Sequence, residues 1–126
     1  MSKPAETLNQ FAEAMNRGDL EAAVALYEPK AVLVVEPGTL ARGSGEIREA
    51  LAGFIGLKPT LRVETEQVLE VGDVALNVGR WTLKGTDPTG QPVAFGGESS
   101  DILRRQPDGR WLIAVDNPWG AKILES

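Results

Sequence analysis

The sequence predicts an α+β fold in which helices come first and pack on one side of an antiparallel sheet. Three observations carry that prediction. Apolar residues recur at spacings of three and four in the first half of the chain. After Pro59 the spacing changes to long segments of mixed alternation. Those segments are punctuated by Gly72-Asp73, Thr86-Asp87-Pro88-Thr89-Gly90 and Gln106-Pro107-Asp108-Gly109, each rich in turn formers.

Each element follows in order. Leu8, Phe11, Ala12 and Met15 share one face of a helix from Pro4 to Asn16, and Pro4 suits its first turn. Asn16-Arg17-Gly18-Asp19 reads as a stop and a start: Gly18 supplies a left-handed residue, and Asp19 caps a second helix from Leu20 to Tyr27. Pro29 blocks its continuation. The β-branched run Ala31 to Val35 reads as a short buried strand ending in the turn Glu36-Pro37-Gly38. Ser44 is the expected cap of a third helix, whose inner face carries Ile47, Leu51 and Phe54. Four long antiparallel strands are then expected near Thr60 to Glu70, Val74 to Gly85, Gln91 to Arg105 and Arg110 to Asn117. No linker, internal repeat or low-complexity segment divides the chain, so residues 1–126 read as one domain.

Composition narrows the chemistry. The 126 residues hold 13 Lys plus Arg against 18 Asp plus Glu, a net charge of −5, with no His and no Cys. Thiol nucleophiles, disulfides, Cys/His zinc sites and imidazole bases are thereby excluded, and acid–base work near neutral pH falls to carboxylates, Lys or Tyr27. The scattered cations among more numerous anions argue against a nucleic-acid partner. No apolar stretch approaches the roughly 20 residues of a membrane span, and Met1-Ser2-Lys3-Pro4-Ala5-Glu6 has no signal-peptide core, so a cytoplasmic protein is expected. No loop cradles phosphate with a following Lys, and no carboxylate spacing resembles a calcium loop; neither cofactor nor metal is expected.

Several segments carry a family resemblance: Asn16-Arg17-Gly18-Asp19-Leu20, Ala25-Leu26-Tyr27, Gly43-Ser44-Gly45 with Ile47-Arg48-Glu49, and Ser100-Asp101-Ile102-Leu103-Arg104-Arg105 followed by Asp108-Gly109-Arg110-Trp111. In these and in element order the chain resembles the nuclear transport factor 2-like superfamily, which includes ketosteroid isomerases and SnoaL-like cyclases. The resemblance implies a cone-shaped barrel of strongly curved, mixed sheet, closed by three N-terminal helices around a pocket. It also implies roles. Glu36-Pro37 stands where ketosteroid isomerases carry the general base, allowing for one inserted residue, and Asp101 matches their oxyanion-hole Asp. Phe11 and Leu51 stand where those enzymes carry tyrosines. SnoaL-like cyclases and scytalone dehydratase-like enzymes need His, which is absent. Limonene epoxide hydrolase-like enzymes share two strand Asp residues but place Arg where this chain has Ser99.

The last hairpin leaves two registers open. A four-residue loop pairs Arg105 with Arg110, Asp101 with Ala114 and Ser99 with Asp116, so that Asp101 and Asp116 share a face as diagonal neighbours roughly 6–8 Å apart; the family alignment favours this one. A three-residue loop with a Gly109 bulge slips the register and splits the pair between faces. Sharing a half-dry cavity, two carboxyls that close become one acid and one base; otherwise both are solvated or bonded to backbone. Glu36 is either a base at the cavity mouth or an exposed turn carboxylate. Trp119, after Asn117-Pro118, is either a lid over the mouth or a cover for a strand end. Trp81 and Trp111 are core, interface or ligand contacts, and an inward Asn77 needs a polar partner.

The expected pocket is lined by Phe11, Met15, Leu51, Phe54, Asn77, Trp81, Leu103 and Trp119, with Glu36, Asp101 and Asp116 as catalytic candidates. Under the first register Ile102, Trp111, Ile113 and Val115 lie on the face away from the helices. That face is covered by a second copy in a homodimer, or the curved sheet hides part of it. Two functions follow: a cofactor-free isomerase or lyase that abstracts a proton α to the carbonyl of a small hydrophobic substrate, or a non-catalytic ligand-binding or dimerisation module.

Overall fold

The structure, a computed structural model, describes residues 3–125; Met1, Ser2 and Ser126, part of the stretch read for a signal sequence and of the span 1–126, lie outside it. The first helix, α1 (Pro4–Asn16), and the short α2 (Leu20–Val24) are joined as expected: Gly18 has φ +72°, and Asp19 accepts the Ala22 N–H at 3.1 Å. Strand β1 (Tyr27–Glu36) follows, then β2 (Thr39–Arg42) and α3 (Gly43–Ile55). Four strands complete the sheet: β3 (Thr60–Val71), β4 (Val74–Thr86), β5 (Pro92–Arg105) and β6 (Trp111–Asp116). A 3-10 turn spans Gly120–Glu125. Strand order is β2-β1-β6-β5-β4-β3, with β1 and β6 parallel and every other pair antiparallel. The architecture is therefore α+β with a six-stranded mixed sheet.

The sheet wraps around α1, and two side chains on that helix show how. Thr7 Oγ1 donates to the Trp111 carbonyl at 2.7 Å. Asn16 both donates to the Leu61 carbonyl at 2.9 Å and accepts its N–H at 2.6 Å. A single Asn thus satisfies the edge of β3 as a neighbouring strand would, which fixes the helix across the concave face. Ala23, Ile47, Leu51, Leu103 and Ile113 fill the core beneath it.

Several sequence expectations are corrected. The second helix stops at Val24, not Tyr27, because the Leu26 carbonyl already accepts the Ile113 N–H and Tyr27 pairs with Ile113 in the sheet. Pro29 is tolerated inside β1: it is exposed and lies where the β1–β6 register shifts, so no ladder donor is lost. The turn after Glu36 leads into β2, a strand too short to show a period of its own. Ser44 is not the cap of α3. Arg42 holds that place, and its N–H is satisfied by Glu46 reaching back at 2.8 Å.

The last hairpin takes the three-residue-loop register at its turn and then departs from both expected registers. Its loop is Pro107 to Gly109, with Gly109 at φ +89°, and pairs Arg105 with Trp111 and Leu103 with Ile113. A bulge at Ala114 then shifts the ladder, pairing Ile102 with Val115 while Ser100 N–H donates to the Asn117 carbonyl. Asp101 is therefore directly opposite Asp116. The slip also turns Trp111 and Ile113 into the core with Leu103, correcting their assignment to the outer face, which keeps Ile102 and Val115.

Candidate functional site

Between the helices and the concave sheet lies a cavity of about 90 Å³ that opens to solvent. Its walls are mostly apolar: Phe11 and Met15 from α1, Leu51 and Phe54 from α3, Leu33 and Val35 from β1, and Trp81 and Phe95 from the sheet. The rings lean on one another. Trp81 meets Trp119 edge to face at 5.3 Å between centroids, Phe95 stacks on Trp119 at 6.5 Å, and Phe54 lies 6.3 Å from Phe95. Trp119 is held in place by its indole N–H on the Val35 carbonyl at 3.0 Å, and Trp81 by its own on the Pro118 carbonyl at 2.5 Å. Gly97 lets this segment close, since a Cβ there would meet the Pro118 carbonyl at 3.3 Å.

Polar groups gather on one wall. Period-two alternation along β5 aims Phe95, Ser99 and Asp101 into the cavity, and β4 presents Asn77 opposite Asp101. Asn77 is 1% exposed, and its carbonyl accepts the Thr65 hydroxyl at 3.0 Å. Asp101 and Asp116 are 4% and 9% exposed. Asp101 Oδ1 accepts the Asn117 N–H at 2.9 Å, and the two carboxyls hydrogen-bond to each other. Behind Asp116 stands Tyr27, whose hydroxyl donates to Oδ2 at 2.5 Å and whose ring meets Phe11 edge to face.

Electrostatics follow from that burial. Asp101 is pushed well above the ordinary carboxylate range, first by burial, then by the charge of Asp116 and the hydrogen bond to it; the Asn117 N–H opposes the rise. Burial also raises Asp116, while the bonds from Tyr27 and Asp101 pull it down. Tyr27 is raised well above the ordinary phenol value by burial and then by Asp116. Burial thus favours a neutral phenol and disfavours ionising both carboxyls together, so the pair is suited to hold one acid and one base side by side.

Of the sequence candidates, Phe11, Met15, Leu51, Phe54, Asn77, Trp81, Trp119, Asp101 and Asp116 line the cavity together. Two do not. Glu36 is exposed, paired with Thr39 where the β1–β2 hairpin becomes irregular, and it is Val35 that reaches the wall. Leu103 is fully buried in the core, because the hairpin slip sets it against Ile113 instead of open space. Sequence reasoning named Tyr27 as a possible acid–base group without placing it at the site, and missed Thr65, Ser99 and Phe95 as cavity residues. For the last two a signal existed: counting by twos from Asp101 along one strand reaches both. Among the described residues, no group of three or more Asp and Glu side chains is arranged to hold a metal, and no helix is long and apolar enough to cross a membrane.

A mixed sheet wrapped around helices, with a cavity on its concave side, is the architecture of the nuclear transport factor 2-like proteins. The chain superposes with a TM-score of 0.78 on such a superfamily protein from Salmonella enterica serovar Typhimurium, at 20% identity over 89% of this chain and 84% of that one. It matches a conserved protein from Planctomyces limnophilus with a TM-score of 0.79, at 22% identity over 89% and 88% of the two chains. A ketosteroid isomerase-like protein from Erwinia carotovora atroseptica gives 0.72, at 26% identity over 90% and 89%. No curated protein sequence matches the chain. The family model for the SnoaL-like domain matches residues 8–113, and the chain belongs to that family.

Proposed function

We propose that the cavity binds a small, mostly apolar carbonyl compound and that the Asp101–Asp116 pair transfers a proton at the carbon next to the carbonyl. The observation that carries this reading is the pair itself: two carboxyls in hydrogen-bond contact, buried on the polar wall of an otherwise apolar cavity. A carbonyl oxygen and its α-carbon are about 2.4 Å apart by ordinary bond lengths. Two carboxyls in contact can address both at once. The protonated one hydrogen-bonds the oxygen, the ionised one takes the α-proton, and charge moving onto the oxygen as the enolate forms meets a donor already in place. Return of that proton to a different carbon completes an isomerisation; loss of a β-substituent from the enolate completes an elimination. No cofactor takes part in either step.

NMR-detected exchange of α-protons for solvent deuterium in small enones and ketones tests the reading. Wild type is expected to catalyse exchange, and Asp101→Asn and Asp116→Asn to lose at least ~100-fold while remaining folded. Exchange that survives in both Asp variants and disappears in Glu36→Gln would return the base role to Glu36. Saturable ligand binding without exchange in wild type would favour the second reading, a ligand-binding module. What supports that second reading is the cavity's first helix, which presents Phe11 and no polar side chain to the ligand. Under either reading we propose that the domain is a homodimer, joined through the outer sheet face that carries Ile102.

A further inference from the structure

The two carboxyls of the pair are chemically identical, yet proton transfer needs one of them to be the base every time. Resting on the proton-transfer reading above, we propose that the Tyr27 hydroxyl is the positioning group that makes the pair asymmetric, holding Asp116 as the base and leaving the shared proton on Asp101.

The geometry carries it. A neutral phenol facing a carboxylate can only donate, and the Tyr27 hydroxyl lies in close hydrogen-bond contact with Asp116 Oδ2. From outside the pair Asp116 receives the O–H of Tyr27, while Asp101 receives a single backbone N–H. Donors favour the ionised form, and the stronger one is on Asp116. Tyr27 has little freedom to bond elsewhere. It is 4% exposed, its backbone pairs with Ile113 in the sheet, and its ring is braced by Phe11. The hydroxyl reaches Asp116 from the side away from the cavity, since Tyr27 is not among the lining residues. It acts through Asp116 and does not touch the substrate. The titratable groups acting on Asp116 are Tyr27 from β1 and Asp101 from β5; α1 presents Phe11 and β4 presents the neutral Asn77.

Tyr27 is the one tyrosine in the chain, so fluorinated tyrosine supplied during expression alters this position alone. The test reads the carboxyl carbons of Asp101 and Asp116 by carbon-13 NMR across pH in three proteins: wild type, Tyr27→Phe and the difluorotyrosine form, whose phenol is the stronger donor. In wild type near pH 7 the Asp116 carbon is expected at the resonance position of an ionised carboxyl and the Asp101 carbon at that of a protonated one. In Tyr27→Phe the Asp116 midpoint rises by roughly one to two pH units, and the two signals move toward each other as the proton is shared evenly. Difluorotyrosine moves the Asp116 midpoint the opposite way. The acid limb of catalysed exchange follows in the same two directions. At a given pH on that limb, Tyr27→Phe is therefore about tenfold slower for every pH unit by which the limb moves. A purely structural role perturbs both altered proteins alike. A protonated Asp116 in wild type, or titrations unmoved by either change, overturns the assignment. The carbon signals report proton position whether or not wild type catalyses exchange, so absence of exchange counts against the proton-transfer reading and leaves this assignment to the NMR data.

Discussion

A carboxyl buried as deeply as Asp101 costs the folded protein little while it keeps its proton, and progressively more as the pH tries to remove it. The sign is set by linkage. Asp101 is raised above the ordinary value of about 3.9 that it has in the unfolded chain. Below that value both states are protonated, and burial carries no ionic penalty. Between it and the folded value the unfolded state alone releases its proton, so stability falls as pH rises; above the folded value the loss is constant. Asp101→Asn, which retains an acceptor for the Asn117 N–H and a donor toward Asp116 without an ionisable group, removes the penalty. Thermal unfolding should show the variant more stable than wild type at pH 7–8, by on the order of 1–2 kcal/mol or several °C in Tm. The gain should shrink to nothing near pH 4. A variant equally stable with wild type across that range would mean that Asp101 is ionised in the folded protein without cost. Stability gained where exchange is lost is the pattern of a site held against the preference of the fold. This paired-acid site was half legible in the sequence. One of the two registers left open put both Asp residues on a shared face; the turn takes the other, and only a bulge at Ala114 that no residue type announces brings the pair into direct opposition. Tyr27 was read as the end of a helix, and its bond to Asp116, 89 positions away, exists only through the parallel pairing of β1 with β6.

Elements were read well where one period ran long and poorly where the chain changes partner. Strands β3, β4 and β5 fall within one residue of the expected boundaries, because alternation and Gly, Pro or Asp turns agree over 12–14 residues. The start of β1 and all of β2 were missed, since tertiary pairing overrides local propensity in segments this short. Glycines inside the strands mark where the sheet folds closely on itself. At Gly79 a Cβ would lie 2.3 Å from the Glu64 carbonyl, beside the register shift between Thr65 and Gln67 on β3. The nearest atoms are all β3 backbone, at Glu64 and Thr65, so nothing soft is there to yield. Gly79→Ala should therefore destabilise the protein by about 2–4 kcal/mol in urea unfolding. Gly45, in α3, has nothing within 4 Å of a built Cβ. There Gly45→Ala should stabilise by about 0.5–1 kcal/mol, through the entropy of the unfolded chain and helix propensity. Equal effects at the two positions would refute the reading of Gly79 as a closure point of the bulge.

At the scale of the whole molecule the outer sheet face is what one chain leaves unsolved. Strand pairing sets Leu69 beside Leu76, Leu76 beside Ile102, Ile102 beside Val115, and Val115 beside Val32, an apolar row crossing five strands. Curvature does not hide it, for Leu69 and Ile102 are 58% and 37% exposed. The accessible surface is 7298 Å², whereas a compact monomer of this length exposes about 6,500 Å². Flanking the row, Arg104 pairs with Glu28, and Arg80 with Glu66 and Glu98, so both signs of charge border the apolar strip. A face of that kind is self-complementary under a two-fold axis, which makes a second copy the occupant that needs no further partner. Sedimentation equilibrium at micromolar concentration should give twice the chain mass for wild type. Ile102→Lys places a charge at the middle of the row, and since Ile102 is partly exposed in the single chain, its side chain can turn outward without disturbing the core. That variant should sediment as a monomer with unchanged far-ultraviolet circular dichroism. Its catalysed exchange should persist, because the cavity opens on the opposite, concave side of the sheet. A monomeric wild type would leave the row uncovered and defeat the dimer proposal, and a dimeric Ile102→Lys would move the interface to another face.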